Sequence, residues 1–518
     1  AQKNNINAAK LVAEIISTSL GPRGMDKMLV DSIGDITITN DGATILKEID
    51  VQHPAAKMMV EVAKATDSEV GDGTTSAVVI AGALLEKAEG LIDNDIHPVI
   101  IADGYQKAAK KAISFLDDIS KKLDMSDKKT LEKVAKTSML TKLVAIEAAD
   151  LAKIVVDAIL SIIEQRDGGY RATITNVKVE KKAGGSISDS QLISGIVLDK
   201  EVVNNNMPKK IQNAKIALIS APLEIEKTEF EAKINISTPN QIKSFMEEEN
   251  QILKEMVEKI KKTGSNVVLC QKGIDDIVQH YLAKAGILAV RRIKESDMAK
   301  LSKATGARVV GNVDDLTEKD LGLAQNVEEK QIEEDNWTYV EGCKNPKAVT
   351  FLIRGGSQRV VDEVERAIHD ALMVVKDVIE KPFFVPGGGA PEAYLAAKLR
   401  VWAQSLSGRE QLAVEKFAEA LEVIPISLAR NSGMNPIDAI TQLRAKQSAG
   451  QKYVGVDAVN GIIGDIEKID VLEPIKVKEQ IIKSATETAN MILRIDNVVA
   501  ISRSSPQPQM PPQAPGMY

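Results

Sequence analysis

Residues 69–89 read EVGDGTTSAVVIAGALLEKAE: an aspartate between two glycines, three hydroxyl side chains, then an apolar helical pattern. The first turn of a helix carries unpaired N–H groups and a partial positive charge. Glycines that admit a close approach, with Thr74, Thr75 and Ser76 behind them, therefore suit a phosphate. Asp72 suits no phosphate directly. A carboxylate there repels an anion unless a cation such as Mg²⁺ stands between them, and Mg²⁺ takes one or two carboxylates plus phosphate oxygens. The same residues also fit a plain Asp- or Thr-capped helix after a turn.

Three further stretches repeat the theme. SLGPRGMDKML (19–29), TNDGATILKEI (39–49) and VPGGGAPEAYL (385–395) each read as a glycine turn placed before a helix. Four such turns invite a phosphate site, yet none matches the Gly-Lys-Ser/Thr loop of the P-loop proteins or the Gly-x-Gly-x-x-Gly of a dinucleotide fold. Metal chemistry through soft ligands is excluded by spacing. Cys270 and Cys343 lie far apart, as do His53, His97, His280 and His369, and neither set has zinc-ligand spacing. Two cysteines also make no disulfide framework, which fits a reducing compartment.

The elements that must position these residues come from a chain of 518 residues, long enough for two to four domains with real cores. Its 66 basic against 73 acidic residues give a net charge of −7, with no block of like charge, so nucleic acid is not an expected partner. The most apolar stretch, LAKIVVDAILSII (151–163), is interrupted by Lys153 and Asp157 and is too short to cross a bilayer. The amino end lacks the basic-then-apolar layout of a signal peptide, and a cytoplasmic location is expected.

Residues 7–127 read as long helices with one small β element, DITITNDG (35–42), whose alternation is strand-like. From 196 to 348 strand and helix alternate, which argues for parallel βαβ units. Within that stretch 238–263 reads as one helix, with Thr238 as N-cap, Pro239 at its first position, Gln241 completing a capping box and Gly264 after its end. Its apolar stripe of Ile242, Phe245, Leu253, Met256 and Ile260 is thin, so part of the rod is expected to project and leaves room for a partner. The last third is helical again, and the polar, Pro-rich 502–518 cannot bury enough apolar surface to fold alone and is expected to be disordered. Helical ends around an α/β middle suggest an inserted domain, with the two ends folding together.

The motifs SLGPRGMDKML, TNDGATILKEI, VQHPAAKMMVEVAKATDSEVGDGTTSAVVIAG, CQKGIDDIVQHYLAK, VPGGGAPEAYLA, SGREQLAVEKFAEALEVIP and ILRIDNV together resemble the chaperonins, specifically the group II chaperonins of archaea and of the eukaryotic cytosol. The resemblance spans essentially the whole chain. It implies a multidomain α and α/β fold with a mostly helical equatorial ATPase domain from 1–127 and 385–501. A small intermediate α/β domain would come from 128–195 and 349–384, and an inserted α/β apical domain from 196–348, with a helical lid protrusion at about 232–264. It implies two stacked rings of identical or sister subunits enclosing non-native protein, driven by ATP and Mg²⁺.

Carried over position by position, the resemblance makes Gly21, Gly73, Thr74, Thr75 and Ser76 the phosphate cradle, with Asp72 as the Mg²⁺ ligand, and puts Leu20, Pro22, Asn40, Gly42, Gly387 and Ala458 among the nucleotide-binding residues. Gly388, Asp457 and Glu473 fall where the family holds the nucleoside. Asp41 and Asp370 fall where it orients and activates the attacking water, and Lys142 falls in its nucleotide-sensing loop. Without the resemblance Asp370 reads as a helix-surface carboxylate, Asp41 as an Asp-Gly turn and Lys142 as a solvated side chain. Two departures stand out: the tail lacks Gly-Met repeats, and Pro391 follows GGGA, where a proline early in a helix is tolerated. A scaffold of the same fold without hydrolysis is the alternative, and the presence of Asp41, Asp72 and Asp370 argues against it.

Overall fold

The computed structural model describes residues 2–166, 169–225, 239–344 and 346–498. Three hydrophobic cores organise them. The first is built from both chain ends: helices Gln2–Ser17, Pro54–Val70, Thr74–Asp93 and Pro98–Ile119 pack with Ala390–Ala403, Gly408–Leu421 and Ile475–Leu493. Over its first three turns Thr74–Asp93 is free of charged residues and buried almost throughout, as a central helix must be, whereas its second half carries Glu86, Lys87 and Glu89 toward the surface. Gly82 lets helix Gln2–Ser17 lie directly on it, because a Cβ there would come within 2.3 Å of the Ala13 Cβ.

The second core lies within 196–348 under a seven-stranded sheet. Strands Lys210–Ile219, Val267–Cys270, Leu288–Val290 and Val309–Val310 pair in parallel, as the alternation of elements predicts. The sheet is nevertheless mixed. Gly322–Ile332 and Asp335–Glu341 form an antiparallel hairpin joined to Lys210–Ile219 on one side and Gly195–Leu198 on the other. The charged run EEKQIEED hides this hairpin from a search for apolar βαβ strands, because one face of it is solvated.

The third core joins the other two. Helices Lys128–Met139, Ala148–Ile162 and Gln358–Glu380 cover a three-stranded sheet of Val177–Ala183, Val349–Gly355 and Gln191–Ile193. The buried Lys178 ties this sheet to the middle unit, donating to the Val197 carbonyl at 2.7 Å and to Asp297 Oδ2 at 3.0 Å.

Two local expectations are corrected. The turn at 20–24 leads into a strand, Lys27–Val30, and not a helix. That strand pairs antiparallel with Ile36–Thr39, so the small β element is a hairpin. The long helix is Pro239–Lys262, about 36 Å at 1.5 Å per residue. Leu253, Val257 and Ile260 are buried, whereas Phe245, Met246 and Ile252 are exposed, so its first half projects. Thr238, with the capping box assigned to it, the first part of the 232–264 protrusion and the 502–518 tail lie outside the described residues.

Candidate functional site

Helix Pro54–Val70 ends on Gly71 in the left-handed region (φ 69°), and Gly73 is left-handed too (φ 77°) as N-cap of Thr74–Asp93. Two reversals in three residues turn the chain sharply enough to aim the new helix start at a cleft. No side chain caps that start, so the first N–H groups are not claimed in the way an Asp- or Thr-capped helix would claim them. The Asp72 carboxylate bends back and accepts from the Gly73 N–H at 2.6 Å. Burial pushes its pKa up, against the pull of Lys142.

The cleft in front of this helix start gathers residues from distant parts of the chain. Leu20, Gly21, Pro22, Asn40, Asp41 and Asp72 through Ser76 all line it. Lys142 enters from the joining unit, and Gly388, Asp457, Ala458 and Glu473 close the far end. Gly42 and Gly387 stand just behind. A Cβ on Gly42 would lie 2.5 Å from Thr75 Oγ1, and one on Gly387 would lie 2.6 Å from Glu473 Oε1.

Asp41 is more than a turn residue. It caps helix Gly42–Glu48, its Oδ2 accepting from Thr44 N at 2.9 Å and Thr44 Oγ1 at 2.8 Å, which leaves Oδ1 toward Lys142 Nζ at 3.8 Å. Asp370 is no surface carboxylate. It is buried in mid-helix and ion-paired to Lys142, which is itself buried rather than solvated. Burial raises the Asp370 pKa well above the usual carboxylate range, with Lys142 opposing. Burial works against the Lys142 ammonium, but Asp370 and Asp41 more than offset it and hold its pKa above the ordinary value. The result is a cation suspended among three acids at the mouth of an uncapped helix.

At the far end Asp457 lines the cleft but spends its carboxylate on its own turn, accepting from Val459 N, Asn460 N and Asn460 Nδ2 at 3.2, 3.1 and 2.7 Å. Glu473 pairs with Lys478 at 2.6 Å. Lys478 escapes the motifs, although it shares a helical face with Ile481 and Ile482, and a lysine in phase with apolar residues is a visible signal. The apolar wall of Ile424, Leu428, Val456 and Ile466 is also missed. It comes from separate elements that no single motif joins.

Charge and shape together fit a phosphorylated ligand with a flat apolar end and an accompanying cation. The sequence profile of the TCP-1/cpn60 chaperonin family matches residues 12–503. The chain belongs to that family. It is 55% identical over 500 residues to a thermosome subunit of Methanopyrus kandleri, covering 96% of this chain and 92% of the relative. It is 56% identical over 503 residues to a thermosome subunit of Pyrococcus horikoshii, covering 97% and 92%. With thermosome subunit alpha of Thermoplasma acidophilum it shares 54% over 517 residues, 100% of this chain and 94% of that one. The protein is thus a group II chaperonin, a molecular chaperone subunit with the multidomain α and α/β fold of that group. Among the described residues, no helix is long and apolar enough to cross a membrane.

Proposed function

We propose that the cleft binds ATP with Mg²⁺ and hydrolyses it, and that hydrolysis drives a double ring of these subunits to enclose non-native protein beneath lids built from the projecting helices. The observation that carries this reading is the uncapped start of Thr74–Asp93 facing Asp72, Asp41 and the Lys142–Asp370 pair across one cleft. The residues suit the ligand. Thr74, Thr75 and Ser76 offer N–H and hydroxyl donors to phosphate oxygens, Gly21 and Gly388 let the backbone come close, and the apolar wall takes the base.

Asp72 would hold Mg²⁺, and the metal when bound would neutralise phosphate charge and help orient the phosphates. Asp41, fixed by Thr44, orients a water through its other oxygen, and Asp370, whose burial raises its proton affinity, accepts a proton from that water. Lys142 balances these acids until the phosphates arrive. The two free, buried cysteines support a reducing compartment, the cytoplasm.

The test is Asp370→Ala. An acid that acts on water contributes in the transition state, so the variant should bind Mg-ATP within about threefold of the parent while phosphate release falls by a factor of about 10² or more. Calorimetry and steady-state phosphate release on the same preparation measure both. Turnover at the parent's rate would remove Asp370 from the mechanism.

A further inference from the structure

In the lining of the same cleft, Lys478 Nζ lies between two carboxylates, 2.8 Å from Glu392 Oε1 and 2.6 Å from Glu473 Oε2. The three come from different elements: Glu392 from the first turn of Ala390–Ala403, Glu473 from strand Leu472–Pro474, and Lys478 from the first turn of Ile475–Leu493. The Lys478 and Glu392 side chains are 5% and 4% exposed, and that of Glu473 is 22% exposed. Glu473 is the most exposed of the three, and it and Lys478 both line the cleft while Glu392 does not.

A simple tie between two helices would need one lysine and one glutamate. Here there is one cation for two buried acids, and Glu392 Oε2 is buried without a hydrogen-bond partner. Such a cluster is expensive to bury unless its surplus charge is used. The surplus faces the cleft. Glu473 Oε1 lies over Gly387, where any Cβ would come within 2.6 Å, so the three-glycine loop leaves room for that oxygen. Gly388 follows with a positive φ of 62° and lines the same cleft.

We propose that Lys478 is a positioning residue for nucleotide recognition: gripping Glu473 through Oε2, it presents Oε1 to the hydroxyls of the ribose. A carboxylate held by one oxygen and open at the other suits the donors of a vicinal diol, and such charge-assisted hydrogen bonds are the strong ones. Lys478 also supports the ionised form of Glu473 against burial and the like charge of Glu392. Glu392 anchors the lysine from behind and does not meet the ligand. The proposal rests on the nucleotide reading of the cleft.

The experiment measures affinities of the intact protein for Mg-ATP, its 2′-deoxy analogue and its 3′-deoxy analogue, with thermal unfolding recorded in parallel. The parent is expected to prefer ATP by about tenfold or more, the size of one hydrogen bond to a charged group. Lys478→Met and Glu473→Gln should bring the ratio close to one, while Lys478→Arg and Glu392→Gln should keep a preference. If Lys478→Met does not fold, Lys478→Gln takes its place with the same expected ratio. A parent without preference, a parent-like ratio in Lys478→Met, or a ratio lost equally in Glu392→Gln would overturn the proposal and leave nucleotide binding standing. A parent that binds none of the three nucleotides would overturn the nucleotide reading itself.

Discussion

Asp72 is held at a helix start where burial already strains its charge. Removing it should therefore act in opposite directions on the empty and loaded protein. Asp72→Ala should weaken Mg-ATP binding by about 10- to 100-fold if, as proposed, Asp72 holds the metal beside the phosphates. Without nucleotide the same variant should melt no lower than the parent, since a disfavoured buried anion is gone. Calorimetry and thermal unfolding, each with and without Mg-ATP, test the pair. Equal affinity would reduce Asp72 to a turn residue. At this scale the residues by themselves showed the helix start and the glycine turns, whereas only the resemblance singled out Asp370 among the acids of Gln358–Glu380. Glu363, Glu365, Asp370 and Asp377 look alike as letters. Their phase separates them: Glu363, Asp370 and Asp377 recur every seven residues among Val364, Ala367, Ala371, Val374 and Val378 and are buried, while Glu365 lies off that face. An acid in phase with an apolar stripe is forced inward, whatever its neighbours.

Helix Gln358–Glu380 meets Ile475–Leu493 through one such acid. Asp377 accepts from Lys476 at 2.7 Å, its other oxygen is buried without a hydrogen bond, and burial, against Lys476, raises its pKa to about 6. The sign of the linkage is set by that direction. The folded chain holds this proton more tightly than the unfolded chain, so the stabilisation is full below about pH 4 and is lost as pH rises through about 6. The Asp377 contribution across that window is about 2–3 kcal/mol at 1.36 kcal/mol per unit. In Asp377→Asn the melting temperature should fall less between pH 4.5 and 6.5 than it does in the parent, by several degrees. Thermal unfolding at four pH values checks it, and parallel profiles would mean that Asp377 titrates normally. Elements differed in how far they could be read. Regular alternation exposed Ile36–Thr39, but its partner Lys27–Val30 has no pattern of its own and is a strand only because the hairpin pairs it.

For the molecule as a whole, the cleft proposed for nucleotide and the projecting helix belong to different cores, so their functions should come apart. Deleting the exposed first half of Pro239–Lys262 should leave ATP hydrolysis within about twofold of the parent and abolish enclosure of a non-native protein. In the intact protein, protease should cut first around Lys243 and Lys254, both exposed, and a mimic of the hydrolysis transition state should protect them as the rods find partners. Identical cutting in both states would count heavily against the lid, and encapsulation by the deletion variant would end it. The cleft has a further consequence, in time rather than in space. During synthesis Asp72 and Gly73 leave the ribosome roughly 400 residues ahead of Glu473, about 20–80 s at ordinary elongation rates. The middle core, contiguous over 196–348, can close meanwhile, whereas helix Thr74–Asp93, covered early by Gln2–Ser17 and Pro54–Val70, keeps its remaining apolar side bare until Gly408–Leu421 and Ile475–Leu493 arrive. A newborn subunit of this chaperonin is for that interval a chain with an unfilled core, open to the same aggregation that chaperones exist to prevent.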